Sequence, residues 1–220
     1  VKVSEQSPTY GTQVQVRVSL PQEVPAPTGT VEFIVDGAEP VIKTIGSDSL
    51  TLDLDSRLSA GEHTIEVKYS GDNRWNPATK TEKLIVQPKK LEWDFSALQA
   101  APIAQNSANT TVAVTGTAKL NGILDNDIVF LSDGTVITGQ YLDVSQPGQQ
   151  LVKINIDRPV LDGADKGNYS VSSPVDKTIQ GQVNAVSLIT DKDSIVPVNP
   201  DNVPADTTYF VERSRFVSSV

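Results

Sequence analysis

The chain has no cysteine. Disulfides, thiolate nucleophiles and Cys-ligated metals are therefore excluded, although export from the cell is not, since many exported domains manage without cystine. It has one histidine, His63, so a Ser-His-Asp triad has a single possible base. It has no apolar run long enough to span a bilayer. Basic residues are also in deficit: 18 Lys and Arg stand against 27 Asp and Glu, a formal net charge of −9. That balance argues against nucleic acid, whose phosphates demand clustered Lys and Arg, and against anionic membranes. No signal peptide and no initiator Met stand at Val1. The expectation is a fragment of a longer chain or a processed product.

What is present is β-rich. The 220 residues suffice for one or two domains with sizeable cores. Valine and threonine are abundant, with Gly and Pro scattered between them, a mix that favours strands separated by turns. Period-two alternation runs through the first part. Val14, Val16 and Val18 alternate with Gln15 and Arg17, and Val31, Phe33 and Val35 lead into an Asp36-Gly37 turn. Leu50, Leu52 and Leu54 repeat the pattern, as do Ile65, Val67 and Tyr69. Each such strand hides one face and wets the other, as in a two-sheet antiparallel sandwich.

"QPKKLEW" (87–93) reads as a polar join between domains. Beyond it, "SALQAAPIAQNSAN" is ambiguous; a helical turn there is limited by Pro102. Strands resume at "TTVAVTGTAKL", "DIVFLSD", "GTVITGQYLDV", "QLVKINIDRPV" and "GNYSVSS", with Val152, Ile154 and Ile156 on one face. The expected organisation is all-β, with tandem antiparallel, immunoglobulin-like β-sandwich domains: 1–88, then a second β-rich domain at 89–187. Residues 188–220 read as an extended tail or the start of a further β unit.

Several stretches invite a chemical reading. "LDGADKGNYSV" (161–171) gathers Asp162, Asp165 and Asn168 between glycines, and "LDND" holds Asp125 and Asp127. Either could offer oxygens to calcium. The first lacks the alternating ligands and terminal bidentate Glu of an EF-hand, and both fit turns built on Asn, Asp and Gly. Asp125, Asp127 and Asp165 remain the candidates for a metal, with Asp201 and Asp206 in "NPDNVPAD" on the same footing. Trp75 with Tyr69 and Arg74 could stack on a sugar ring; the preferred expectation is a loop Trp that covers one end of a sandwich or packs against the next domain. The mid-strand lysines Lys68 and Lys153 alternate away from the apolar stripe, which speaks against an intramolecular Lys–Asn isopeptide bond. There is no nucleophile–base pair, phosphate loop or HExxH, so no catalysis is expected within this chain.

"TGTVEFIVDG" (28–37), "LSAGEHTIEVKYSGDNRWNPA" (58–78) and "KLIV" (83–86) together resemble the bacterial immunoglobulin-like repeats of surface proteins. That pattern runs from a Gly through alternating apolar residues to Asp-Gly, then Leu-x-x-Gly-x-His-x-Ile, then Tyr-x-Gly-Asp before an aromatic. Trp75 stands where the family more often has Tyr or Phe. "AVTGTAKLNGILDNDIVFLSDG" (113–134) and "LDGADKGNYSV" resemble the YDG or MBG-type repeat of large adhesins, with "EWDFSALQA" in place of the namesake Tyr-Asp-Gly.

The resemblances imply a structural role for His63 and a tight turn entering a last strand at "GADKGNY". They also imply a non-enzymatic, monomeric, extracellular segment of a bacterial surface protein, attached to the cell wall or secreted. It would be a stalk or adhesive region that contacts neighbouring repeats of the same chain and needs no cofactor. Two other readings remain open. One is a module that binds a host protein or a glycan. The other is a pair of accessory domains from a secreted polysaccharide-active enzyme.

Overall fold

The structure, a computed structural model, describes residues 1–22 and 25–186. The first strands are β1 (Lys2–Val3), β2 (Gln15–Ser19), β3 (Thr30–Val35), β4 (Val41–Thr44), β5 (Ser49–Asp53), β6 (Gly61–Tyr69) and β7 (Ala78–Val86). Then come β8 (Lys89–Lys90), β9 (Glu92–Asp94), β10 (Gln99–Ala100), β11 (Ile103–Ala104), β12 (Thr111–Thr115) and β13 (Lys119–Asn121). The remainder are β14 (Phe130–Leu131), β15 (Ile137–Tyr141), β16 (Gly148–Ile156), β17 (Leu161–Asp162), β18 (Tyr169–Ser170) and β19 (Thr178–Asn184). Among the described residues the one helical element is a 3₁₀ turn at Lys166–Asn168. The protein is all-β, as its alternation predicts.

Packing divides the chain into two compact units that do not follow it in order. Unit 1 joins Val1–Asp94 to Lys119–Thr135 and Arg158–Ser172. Its sandwich has one sheet ordered β1-β2-β5 and another ordered β4-β3-β6-β7. The alternating valines fill the space between them: Val14, Val16 and Val18 share a core with Val31, Phe33, Ile65, Val67 and Leu84. The β3–β4 hairpin turns at Asp36 (φ 51°) and Gly37 (φ 73°), with Ala38 N–H donating to Val35 O at 2.9 Å. Two consecutive left-handed residues give a turn whose twist matches that of the strands.

The N-terminal segment serves both sheets. Lys2–Val3 pairs antiparallel with β2, and residues 6–10 then run parallel beside β7. Pro8 lacks an N–H, which a sheet edge tolerates.

Later chain completes this unit. β8 pairs in parallel with β18, β9 antiparallel with β13, and β14 antiparallel with β17. The stretch 87–93 is therefore itself hydrogen-bonded within unit 1. These additions bury Leu91, Val129 and Tyr169 in the same apolar cluster as Val3, Tyr10 and Phe33.

Unit 2 comprises Phe95–Ala118, Val136–Asp157 and the chain from Ser173. Its strands form one ladder, β10-β12-β15-β16-β19-β11. The ambiguous stretch around Pro102 holds no helix: β10 and β11 flank the proline and occupy opposite edges of the sheet. β10 is antiparallel to β12 and β11 is parallel to β19. The split N-terminal segment of unit 1 is thus repeated here. Val152, Ile154 and Ile156 are all buried, as their spacing predicts, while Leu151 is exposed. Gly139 and Gly181 are glycines because of contact: a Cβ on Gly181 would lie 2.5 Å from Tyr141 Oη, and one on Gly139 2.7 Å from Val152 Cγ1.

Candidate functional site

"LDGADKGNYSV" spans β17, the 3₁₀ turn and β18, and the side chains of Asp162, Asp165 and Asn168 diverge. Asp162 Oδ1 accepts Gly163 N–H and Lys166 Nζ, each at 2.9 Å. The Lys166 ammonium and the Gly163 amide hold its carboxyl below the usual range. Asp165 Oδ2 accepts Ile128 N–H at 2.8 Å, joining two segments of unit 1. Asn168 Oδ1 accepts Ala60 N–H at 2.9 Å. Gly163 has φ 108°, and a Cβ there would sit 2.2 Å from Ile128 O, so only glycine fits.

The dense polar centre is at Asp127, whose side chain is 4% exposed. Its Oδ2 accepts Tyr169 Oη–H at 2.5 Å and Tyr10 Oη–H at 3.0 Å. Its Oδ1 accepts the Arg57 guanidinium, which also donates to Asp125 O. Leu124 N–H donates to Tyr169 Oη at 2.9 Å. The Tyr10 and Tyr169 rings meet edge to face, with centroids 5.5 Å apart.

Burial pushes the Asp127 carboxyl up, but the Tyr169, Tyr10 and Arg57 bonds outweigh it and hold it below the usual range. Burial and the Asp127 charge push the Tyr169 phenol up to about 12 and the Tyr10 phenol up as well. Asp127 thus spends its acceptors on the protein. Asp125 contributes its backbone oxygen to the Arg57 contact, and Asp165 serves a backbone amide. Among the described residues no group of three His, Cys, Asp or Glu could hold a metal ion. Asp201 and Asp206 lie outside the described residues.

Tyr10 and Arg57 escape sequence reading. Each sits in a short turn-like stretch, and their partner is 117 and 70 residues away. The nearest signal is the buried ring expected of Tyr169, which implies a partner for its hydroxyl.

His63 is buried, with Nδ1 2.6 Å from Asp36 Oδ2 and Nε2 2.7 Å from Ser59 O. Asp36 Oδ1 also accepts Thr64 N–H at 2.8 Å. Burial raises the Asp36 carboxyl, but the Thr64 and His63 bonds bring it below the usual range. His63 therefore braces the Asp36-Gly37 turn against β6.

Asp72, in "YSGDNRW", organises the loop that carries Trp75. Its carboxylate accepts Thr28 N–H at 2.7 Å, Arg74 N–H at 2.8 Å and Trp75 N–H at 2.7 Å, and these amides hold it far below the usual range. Tyr69 Oη donates to Thr28 O at 2.8 Å. Tyr69 and half-buried Trp75 line a cleft of about 290 Å³ with Val18, Leu20, Val31 and Val67. Arg74 is exposed and does not line the cleft. Trp93 is half-buried, and its Nε1–H donates to Ser172 O at 2.8 Å. Lys68 Nζ lies 2.9 Å from Glu66 and Lys153 Nζ 3.4 Å from Asp176, so both lysines face carboxylates.

No curated protein matches the chain. One solved structure that matches is a chimeric titin Z1Z2-Z1Z2 tandem functionalised with a GRGDS exogenous peptide from fibronectin. It shows 16% identity and a TM-score of 0.25 over 84% of this chain and 99% of that one. The two-sheet sandwich, the Asp36-Gly37 turn, the His63 brace and the Asp72 loop all fall in residues 1–87, and that part of the chain matches the bacterial Ig-like domain (group 3) family.

Proposed function

We propose that this chain is a non-catalytic spacer segment of an extracellular bacterial surface protein, with an adhesin-repeat-like stretch at 89–187, part of which completes unit 1, following the Ig-like 1–88. The observation that carries this reading is the use to which its polar side chains are put. Asp36, His63, Asp72, Asp127, Asp162 and Asp165 each spend their bonds holding strands and turns in place. A fold closed by its own side chains, in a chain that has no cysteine, suits a passive element outside the cell. The net charge of −9 keeps neighbouring copies apart.

A second reading, a ligand-binding module, is favoured by one observation: Tyr69 and Trp75 share a mainly apolar cleft of about 290 Å³, close to the lower size of small-ligand pockets. One experiment separates the two. The chain and its Trp75→Ala variant are passed over immobilised glycans and extracellular-matrix proteins. The spacer reading expects no saturable binding by either. Saturable binding that Trp75→Ala abolishes would replace it with the second reading.

A further inference from the structure

The N-terminal segment forms one edge of the larger sheet in unit 1. It is held there in parallel by three backbone bonds: Ile85 N–H to Gln6 O (2.9 Å), Gln87 N–H to Pro8 O (2.7 Å) and Tyr10 N–H to Gln87 O (2.9 Å). Most of residues 1–9 face solvent; Val3 and Pro8 are the ones buried. Terminal edge strands with so few bonds are the first parts of a sheet to open.

This strand has a second anchor. It ends at Tyr10, which is 4% exposed. The Tyr10 hydroxyl donates to Asp127, and its ring lies edge-on to Tyr169. Asp127 is gripped in turn by Arg57, between β5 and β6, and by Tyr169. Next to Tyr10, Gly11 turns at φ 89° with Leu124 packed so close that a Cβ would lie 2.9 Å from its Cδ1. The far end of the strand is therefore fixed by chain from 119–135 and 158–172 as well as by the sheet.

We propose that the Asp127 site is a lock on the N-terminal edge strand. While Tyr10, Arg57 and Tyr169 hold the carboxylate, residues 6–10 stay on β7. When the site opens, residues 6–10 lift from β7 while Lys2–Val3 stay paired with β2, and the edge of β7 is bared, with the Ile85 and Gln87 amides and the Gln87 carbonyl free to pair. A bared edge of that kind takes the equivalent strand of a second copy. The lock thus guards the protein against strand exchange with a second copy. This inference goes beyond the proposed function and does not depend on it.

The test is native-state hydrogen exchange on the full chain, wild type against Tyr10→Phe, which keeps the ring contact with Tyr169 and removes one hydroxyl. A hydrogen bond to a charged group contributes enough for its loss to speed local opening by about tenfold or more. The expected result is that acceleration at the amides of Tyr10, Ile85 and Gln87, with the amides of β3, two strands away, unchanged. Asp127→Asn, of nearly equal volume, is expected to give the same three-amide pattern more strongly. Acceleration spread evenly over unit 1 would mean general weakening and would overturn the lock. Unchanged exchange at the three amides in Tyr10→Phe would overturn it too, even if Asp127→Asn does not fold.

Discussion

A single carboxylate, Asp127, brings together side chains from residues 10, 57 and 169. Removing it leaves two phenols without their acceptor and the Arg57 guanidinium with the Asp125 carbonyl alone. Asp127→Ala should therefore cost about 2–4 kcal/mol, at the lower part of the range for breaking a buried pair because Arg57 is partly exposed. Urea denaturation measures this directly, and a loss under 1 kcal/mol would contradict it.

The pH dependence has a definite sign for each group. The Asp127 and Asp36 carboxyls are lower in the folded protein than in the unfolded chain. Their stabilisation is complete above the ordinary carboxylate range, near pH ~4, and is lost as pH falls through the folded values. Asp127→Asn should flatten that acid limb. The Tyr169 phenol is higher in the folded protein, at about 12. Its stabilisation is present below the ordinary phenol value and disappears as pH climbs toward about 12. Tyrosinate absorbance and circular dichroism, followed together through an alkaline titration, should change in step; ionisation of all five tyrosines before any unfolding would refute the assignment.

At the scale of elements, long strands were legible and short ones only in part. β2, β3, β6 and β16 each carry enough alternation to fix which face is buried, and the valines and isoleucines named from spacing are the ones in the core. β8 and β17, two residues each, are too short for any period and fall outside the expected strands. They are strands because a distant partner meets them, and such pairing leaves no local trace. β14 and β18 do lie within expected strands, "DIVFLSD" and "GNYSVSS", although only two residues of each are paired. The turn at 163–169 was legible, since Gly and Asp constrain the backbone locally. The destinations of Asp165 and Asn168 were not.

Two glycines, Gly181 inside β19 and Gly134 in a turn, offer a sharp check. Gly181→Ala drives a methyl against Tyr141 and Val152 and should cost about 1–3 kcal/mol. Gly134→Ala meets nothing within 4 Å and should be close to neutral. Equal thermal midpoints for the two variants would show that this packing is softer than its distances imply.

At the scale of the molecule, the Ig-like part depends on chain beyond residue 88. A fragment of residues 1–88 lacks Leu91, Leu120, Val129 and Tyr169, all packed on its apolar cluster. Its melting temperature should lie roughly 10 °C or more below that of unit 1 in the full chain, given a few degrees per kcal/mol for a domain of this size. The fragment should also bind an apolar dye. Matching melting temperatures would show that 1–88 stands alone. Because the acidic loops are satisfied internally, calcium at millimolar levels and EDTA should leave the full-chain melting temperature alike. A shift of several degrees would restore calcium as a ligand.

The completion of unit 1 by chain as late as Tyr169 has a consequence in time. At about 5–20 residues per second, the stretch from Gln87 to Tyr169 takes roughly 4–16 s to be made. For that interval the first 87 residues are present without the parts that close them. A nascent chain ending before Tyr169 should be cut readily by protease within residues 1–10, and one extended well past it should resist. The chain would then stay pliable during synthesis and set only when its later half arrives.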